Sequence, residues 1–305
     1  MPRRTPKPAK RASRSSSQPL VSHTWLVKAI AAVVIVALIC AYLTLSLLFY
    51  QGQWQLVLHP QHKAEASETA SIHFAPDESA TPQLTGRWIP ATPGASYANN
   101  TILVLPSGDG SLSDFNPTLD RLHNLGINVF AFDYRGYGYS ADTHPNQLRM
   151  TQDAESAWTY LTTSRGISAH QIIPYGIGVG ASLATHLAAS HSDIPALILE
   201  SPKGDLLDTV RHDPHVTLMP VRLLFHEDFP LAGPLASLHT PKLLISRADA
   251  APAFRTASDP KLMVEFDSPA DATYAQALTR FLDQYITPPS PQLVPTPAPA
   301  STNPH

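Results

Sequence analysis

Cysteine is almost absent from this sequence: Cys40 is the only one among 305 residues, which excludes an intrachain disulfide and a cysteine metal cluster. Acidic residues are missing from the first 28 positions, which carry seven basic ones (Arg3, Arg4, Lys7, Lys10, Arg11, Arg14 and Lys28). The rest of the chain therefore holds 14 basic against 24 acidic residues, a net of −10. A surface of that sign speaks against nucleic acid as a partner. Charge is missing altogether from residues 29–50, AIAAVVIVALICAYLTLSLLFY. A helix of 22 residues, rising about 1.5 Å each, crosses a hydrocarbon core of about 30 Å. No small-x-small cleavage site follows Leu48-Phe49-Tyr50, and Ile39 stands before Cys40 where a lipoprotein signal needs a small residue. The run therefore reads as an uncleaved anchor. Positive charge on its amino-terminal side keeps the tail in the cytoplasm and exports everything after Tyr50, across the inner membrane if the cell is bacterial.

What is present beyond residue 50 is an alternation of short β-branched runs with longer amphipathic stretches, the pattern of an α/β fold with a mostly parallel sheet flanked by helices. Candidate strands are 54–58, 71–74, 86–89, 101–105, 127–132, 171–175, 196–200, 242–246 and 262–266. A helix over 146–163 places Met150, Ala154, Trp158 and Leu161 on one stripe, and Tyr274, Leu278, Phe281 and Tyr285 form another near the end. The first strands have no helix between them, so the sheet is expected to start antiparallel and turn parallel. The organisation is thus a disordered basic tail (1–28), a transmembrane helix (29–50), one domain (51–286) and a tail (287–305) with seven prolines in nineteen residues, which is expected to be disordered. Within the domain, residues 202–241 are irregular and read as a cap-like insertion. Its histidines His212, His215 and His226 match no ligand spacing, so neither a metal nor a cofactor is expected.

The most informative stretch runs Tyr175-Gly176-Ile177-Gly178-Val179-Gly180-Ala181-Ser182, a strand passing through a glycine turn into a helix over 181–191. Two devices share this shape. One is the nucleophile elbow G-x-S-x-G, in which Gly178 stands at the serine. The other is the dinucleotide fingerprint G-x-G-x-x-A, matched by Gly176, Gly178 and Ala181, with Glu200 as the acidic residue that meets a ribose. That fingerprint normally opens its domain, whereas here several strands precede it.

The surrounding motifs favour the elbow. Residues 133–140, DYRGYGYS, and 105–115, LPSGDGSLSDF, together with LESPK at 199–203, resemble the loop series of the α/β-hydrolase family. The likeness is to its small branch with an N-terminal membrane anchor, similar to bud-emergence-type and depalmitoylase-like hydrolases. It spans residues 54–285 and implies that family's fold and a serine, acid, histidine site. Position by position the site is not met. The nucleophile falls on Gly178, and the His-Gly of the oxyanion loop falls on Pro106 and Ser107, where proline has no N–H to donate. The acid corresponds to Asp249 and the histidine to Asp271, and beyond Lys242 the only histidine is His305. Ser140, Ser182 and Ser201 lack a histidine partner in the pattern, and Ser182, one helical turn beyond Gly178, is expected to pack against the sheet.

The sequence thus predicts a single-pass membrane protein carrying a catalytically degenerate hydrolase that binds a small acyl or anionic ligand, or a protein partner. An anion would meet Ser107 and Gly108 on one loop and the N–H groups of Val179 and Gly180 at the helix start. An active esterase, thioesterase or peptidase-like hydrolase with a non-standard catalytic set, and a nucleotide-binding domain, are the competing readings.

Overall fold

Helix α1 (His23–Gly52) contains the whole charge-free run and buries none of its side chains. By length and composition it can cross a membrane. The computed structural model describes residues 22–62, 71–75, 81–216, 219–246, 253–266 and 272–286, and it separates a unit of residues 1–48 from one of residues 49–305. The predicted tails at 1–21 and 287–305 lie outside the described residues.

Eight strands build the sheet of the second unit: β1 (Ser71–Phe74), β2 (Leu84–Ile89), β3 (Tyr97–Leu105), β4 (Ile127–Asp133), β5 (Ile172–Ile177), β6 (Leu197–Glu200), β7 (Lys242–Ser246) and β8 (Lys261–Glu265). Their order is β8-β7-β6-β5-β3-β4-β2-β1, with β1–β2 and β2–β4 antiparallel and the remaining neighbours parallel. Along β3 the side chains alternate between two buried faces. Leu103 and Leu105 join Met150 and Leu183 of helices α3 (Gln147–Thr159) and α4 (Gly180–Ser190), while Ile102 and Val104 join Leu119 of α2 (Asn116–Asn124) and Phe281 of α9 (Ala272–Tyr285). Helices on both faces explain why these strands read as unbroken apolar runs. Each fully buried Leu or Ile gains about 1.5–3 kcal/mol over exposure, so both faces of β3 contribute to holding the sheet at the centre of the unit.

One predicted strand is replaced. Residues 54–58 form a 3₁₀ turn (Gln53–Leu56) instead, with Val57 and Leu58 donating N–H bonds to the Trp54 carbonyl. Trp54 and Leu58 pack on the same core, and the turn's own hydrogen bonds to the Trp54 carbonyl take the place of strand pairing. The insertion is also less irregular than expected. It holds α5 (Leu206–Arg211), a turn at Pro214–Val216, α6 (Val221–Leu224) and α7 (Ala232–Ser237), with Val210, Val216, Val221 and Phe225 forming a small core of their own. A short helix, α8 (Ala253–Thr256), precedes β8. Among the described residues no group of three metal-binding side chains exists.

Leu105, the last residue of β3, stands in register with Gly176 near the end of β5. After β3 the chain turns to β4 on one side, and it later returns to β5 on the other. The crevice opened by such a reversal, at the carboxyl ends of the strands, is where ligands of open α/β sheets bind.

Candidate functional site at the β5–α4 turn

Between β5 and α4 the chain makes a sharp turn at Gly178, whose φ is +56°. Three backbone bonds hold it there: Gly178 N–H donates to the Glu200 carbonyl (3.1 Å), and its own carbonyl accepts from Lys203 (2.9 Å) and Ala181 (3.2 Å). Helix and sheet come so close that a Cβ on Gly180 would stand 2.1 Å from the Leu105 carbonyl oxygen, which makes glycine obligatory. This is the backbone of a nucleophile elbow, with a hydrogen in place of the nucleophile. A Cβ on Gly178 would meet the Ser107 Cβ at 2.9 Å, so the β3 loop occupies the space the missing side chain vacates.

That loop is held from below by the DYRGYGYS segment. Asp133 Oδ1 accepts the Leu112 N–H (2.7 Å), Tyr134 Oη donates to the Pro106 carbonyl (3.3 Å), and Tyr137 Oη donates to the Gly108 carbonyl (3.1 Å). Both tyrosines are pushed well above their ordinary pKa by burial, so they stay protonated and serve as donors. Ser140 is structural as well: its Oγ donates to the Asp133 carbonyl (2.5 Å) and accepts the Thr85 N–H (2.9 Å). Arg135 donates to the fully buried Asp153 from its backbone N–H and its Nε (2.9 and 2.7 Å). The Asp153 carboxyl is nonetheless pushed up to about 6, because burial outweighs the pull of Arg135.

The sequence-derived site residues are brought together only in part. Ser107, Gly108, Val179 and Gly180 are brought together where the β3 loop lies against the elbow; a Cβ on Gly108 would lie 3.1 Å from Val179 Cγ2. Asp249 and Asp271 lie outside the described residues. Ser182 does not pack against the sheet as expected; its Oγ donates to the Pro230 carbonyl of the insertion (2.7 Å). Glu200 is not poised for a ribose. Its buried carboxylate accepts from the hydroxyls of Tyr175 and Tyr274 under α9, which removes the acidic partner of the nucleotide reading.

Three residues that the sequence did not single out stand at the rim. His59 Nδ1 pairs with Asp109 Oδ1 (2.8 Å), Lys203 Nζ lies 3.7 Å from Asp109 Oδ2, and the Asp109 N–H donates to Ser107 Oγ (3.3 Å). All three side chains are half exposed or more. The cluster arises because His59–Pro60 pairs in parallel with Asp109–Gly110, a contact across 50 residues that no local pattern announces.

Comparison with known proteins agrees with this architecture. The family model described as serine aminopeptidase, S33, matches residues 98–265, more than half of the chain. An uncharacterized protein of Mycobacterium tuberculosis, Rv2307c, is 31% identical over 164 residues, covering 54% of this chain and 56% of that protein. Alpha/beta hydrolase domain-containing protein 17C of Mus musculus is 37% identical over 78 residues, 26% of this chain and 24% of its own. The chain thus spans about half the length, or less, of these curated relatives. Among solved structures, the Pyrococcus furiosus esterase Pf2001 superposes with a TM-score of 0.57 at 16% identity over 75% of this chain and 97% of its own. The acetyl xylan esterase from Paenibacillus sp. R4 gives 0.53 at 15% identity, with 78% and 94% covered. Order of strands, elbow backbone and family match coincide, and the chain belongs to the serine aminopeptidase S33 family of α/β-hydrolase-fold proteins.

Proposed function

We propose that this chain is a single-pass membrane protein, anchored by residues 29–50, whose exported hydrolase-fold domain binds a small acyl or anionic ligand or a protein partner and does not cleave it. The observation that carries the reading is Gly178: the elbow keeps its left-handed turn, offers no side chain, and is covered by Ser107. A serine hydrolase needs a hydroxyl in that turn and an imidazole to take its proton as it attacks. The sequence supplies neither, since no histidine but His305 follows Lys242. The turn retains the N–H groups that open α4, a favourable place for a carboxylate or phosphate. Labelling the purified full-length chain with a fluorophosphonate probe, alongside turnover of short p-nitrophenyl esters, tests the reading. No labelling and no turnover are expected; covalent labelling of any serine overturns it.

A second reading has an observation of its own. In the His59–Asp109 pair the carboxylate engages Nδ1, as in a Ser-His-Asp triad, and Asp109 also donates its N–H to Ser107 Oγ beside the elbow. This reading makes Ser107 a displaced nucleophile with His59 as its base, in line with the esterase, thioesterase or peptidase-like alternative. It requires fluorophosphonate labelling that disappears in Ser107→Ala and falls in His59→Asn.

A further inference from the structure

The insertion meets the chain immediately after the apolar run. Gln53, only 2% exposed, donates from Nε2 to the carbonyls of Tyr50 (2.9 Å) and Leu224 (3.0 Å), and its Oε1 accepts the His226 N–H (2.7 Å). The Tyr50 ring lies 4.7 Å from that of His226. One buried amide thus ties the end of α6 to the last residue of the charge-free run. Beside it stand two side chains that a water-facing surface would not select: Leu223, 83% exposed on α6, and Leu56, 47% exposed three residues after Gln53. Arg222, also exposed, is the neighbour of Leu223.

Helix α1 continues to Gly52, so Gln53 follows Tyr50 by three residues, a rise of about 4.5 Å at 1.5 Å each. The polar headgroup layer extends roughly 5–7 Å beyond the hydrocarbon on each side. If the bilayer core ends at Tyr50, whatever Gln53 holds by hydrogen bonds lies at headgroup depth. At that depth an exposed leucine reaches the acyl boundary and an arginine meets lipid phosphate.

We infer that α6 and the turn at Gln53–Leu56 dock on the phospholipid bilayer itself, with Leu223 and Leu56 entering the interface and Arg222 meeting lipid phosphate. The insertion then acts as a foot that holds the domain against the membrane, where a bare tether would let it swing. This inference rests on the anchor reading, and its test separates the two. In a Cys40→Ser background of the full chain, Leu223→Cys, Leu38→Cys and Ser192→Cys are spin-labelled one at a time and reconstituted in phosphatidylcholine/phosphatidylglycerol vesicles. Relative accessibility to oxygen and to a water-soluble nickel chelate is then read by electron paramagnetic resonance. Position 38 should be strongly lipid-exposed, position 192 aqueous, and position 223 shifted toward oxygen by about threefold or more over position 192, as interfacial depth implies. If position 38 is embedded while position 223 matches position 192, the docking fails and the anchor stands. If position 38 is itself aqueous, the anchor reading fails and the docking falls with it. Leu223 is mostly exposed, so its replacement leaves the core intact.

Discussion

Gly178 and Ser107 form a matched pair, and restoring a serine at position 178 should be costly in a way that position 107 can relieve. A residue with a Cβ held in the left-handed region pays about 1–2 kcal/mol. Its Cβ would stand 2.9 Å from that of Ser107, against an optimum near 3.5–4.0 Å, and overpacking of this kind costs about 1–3 kcal/mol. A total of about 3 kcal/mol lowers the melting temperature by roughly 6–12 °C, taking about 2–4 °C per kcal/mol for a domain of this size. Ser107→Gly removes the contact but not the backbone strain, so the double variant should recover about half of the loss. The assay is thermal unfolding of the full-length chain in detergent for all four corners of the cycle. A coupling energy indistinguishable from zero, within about 0.5 kcal/mol, would falsify the matched-pair argument. The Gly178→Ser chain should also show no ester turnover; measurable turnover means that an imidazole does reach the elbow.

Three further outcomes follow from the same geometry. Tyr137→Phe leaves the Gly108 carbonyl with only the His59 N–H, and urea unfolding should show a loss of about 0.5–1.5 kcal/mol. Asp153 has a folded-state pKa raised from 3.8 to about 6, so the folded chain holds more protons than the unfolded one between those values. Its contribution to stability is therefore highest below pH 4 and declines as pH rises to 6; relative to Asp153→Asn, wild-type stability should fall by up to about 3 kcal/mol over that window. A flat difference in urea midpoints from pH 4 to 7 contradicts that sign. Glu200→Ala leaves the buried hydroxyls of Tyr175 and Tyr274 only each other as partners, so one of their protons loses its acceptor, and should cost about 1–3 kcal/mol, while calorimetry with NADH should show no binding to the wild-type chain.

The central sheet was legible because strands buried on both faces announce themselves as apolar runs, and the helix stripe of Met150, Ala154, Trp158 and Leu161 is buried as its spacing requires. The turn at residues 54–58 was not, because residues four apart such as Trp54 and Leu58 share a side in a strand as well as in a helical turn, so their pattern does not separate the two. At the site, the glycine at the centre of the elbow was plain from one letter, Gly178. What fills its space was not, since Ser107 reaches the elbow only through the register of β3 against β5. The competing dinucleotide reading could not be dismissed from Glu200 itself for a similar reason. An acidic residue 24 positions after the first glycine fits a dinucleotide spacing, and only packing against α9 reveals that its oxygen is already taken.

The DYRGYGYS segment touches no reacting position; Asp133, Tyr134 and Tyr137 brace the neighbouring loop, and would do so whether or not a hydroxyl stood in the elbow. That octapeptide consequently certifies a chassis. Recognising the fold by that octapeptide therefore carries no information about the residue at the bend after β5, which a different strand and a different set of hydrogen bonds hold in place.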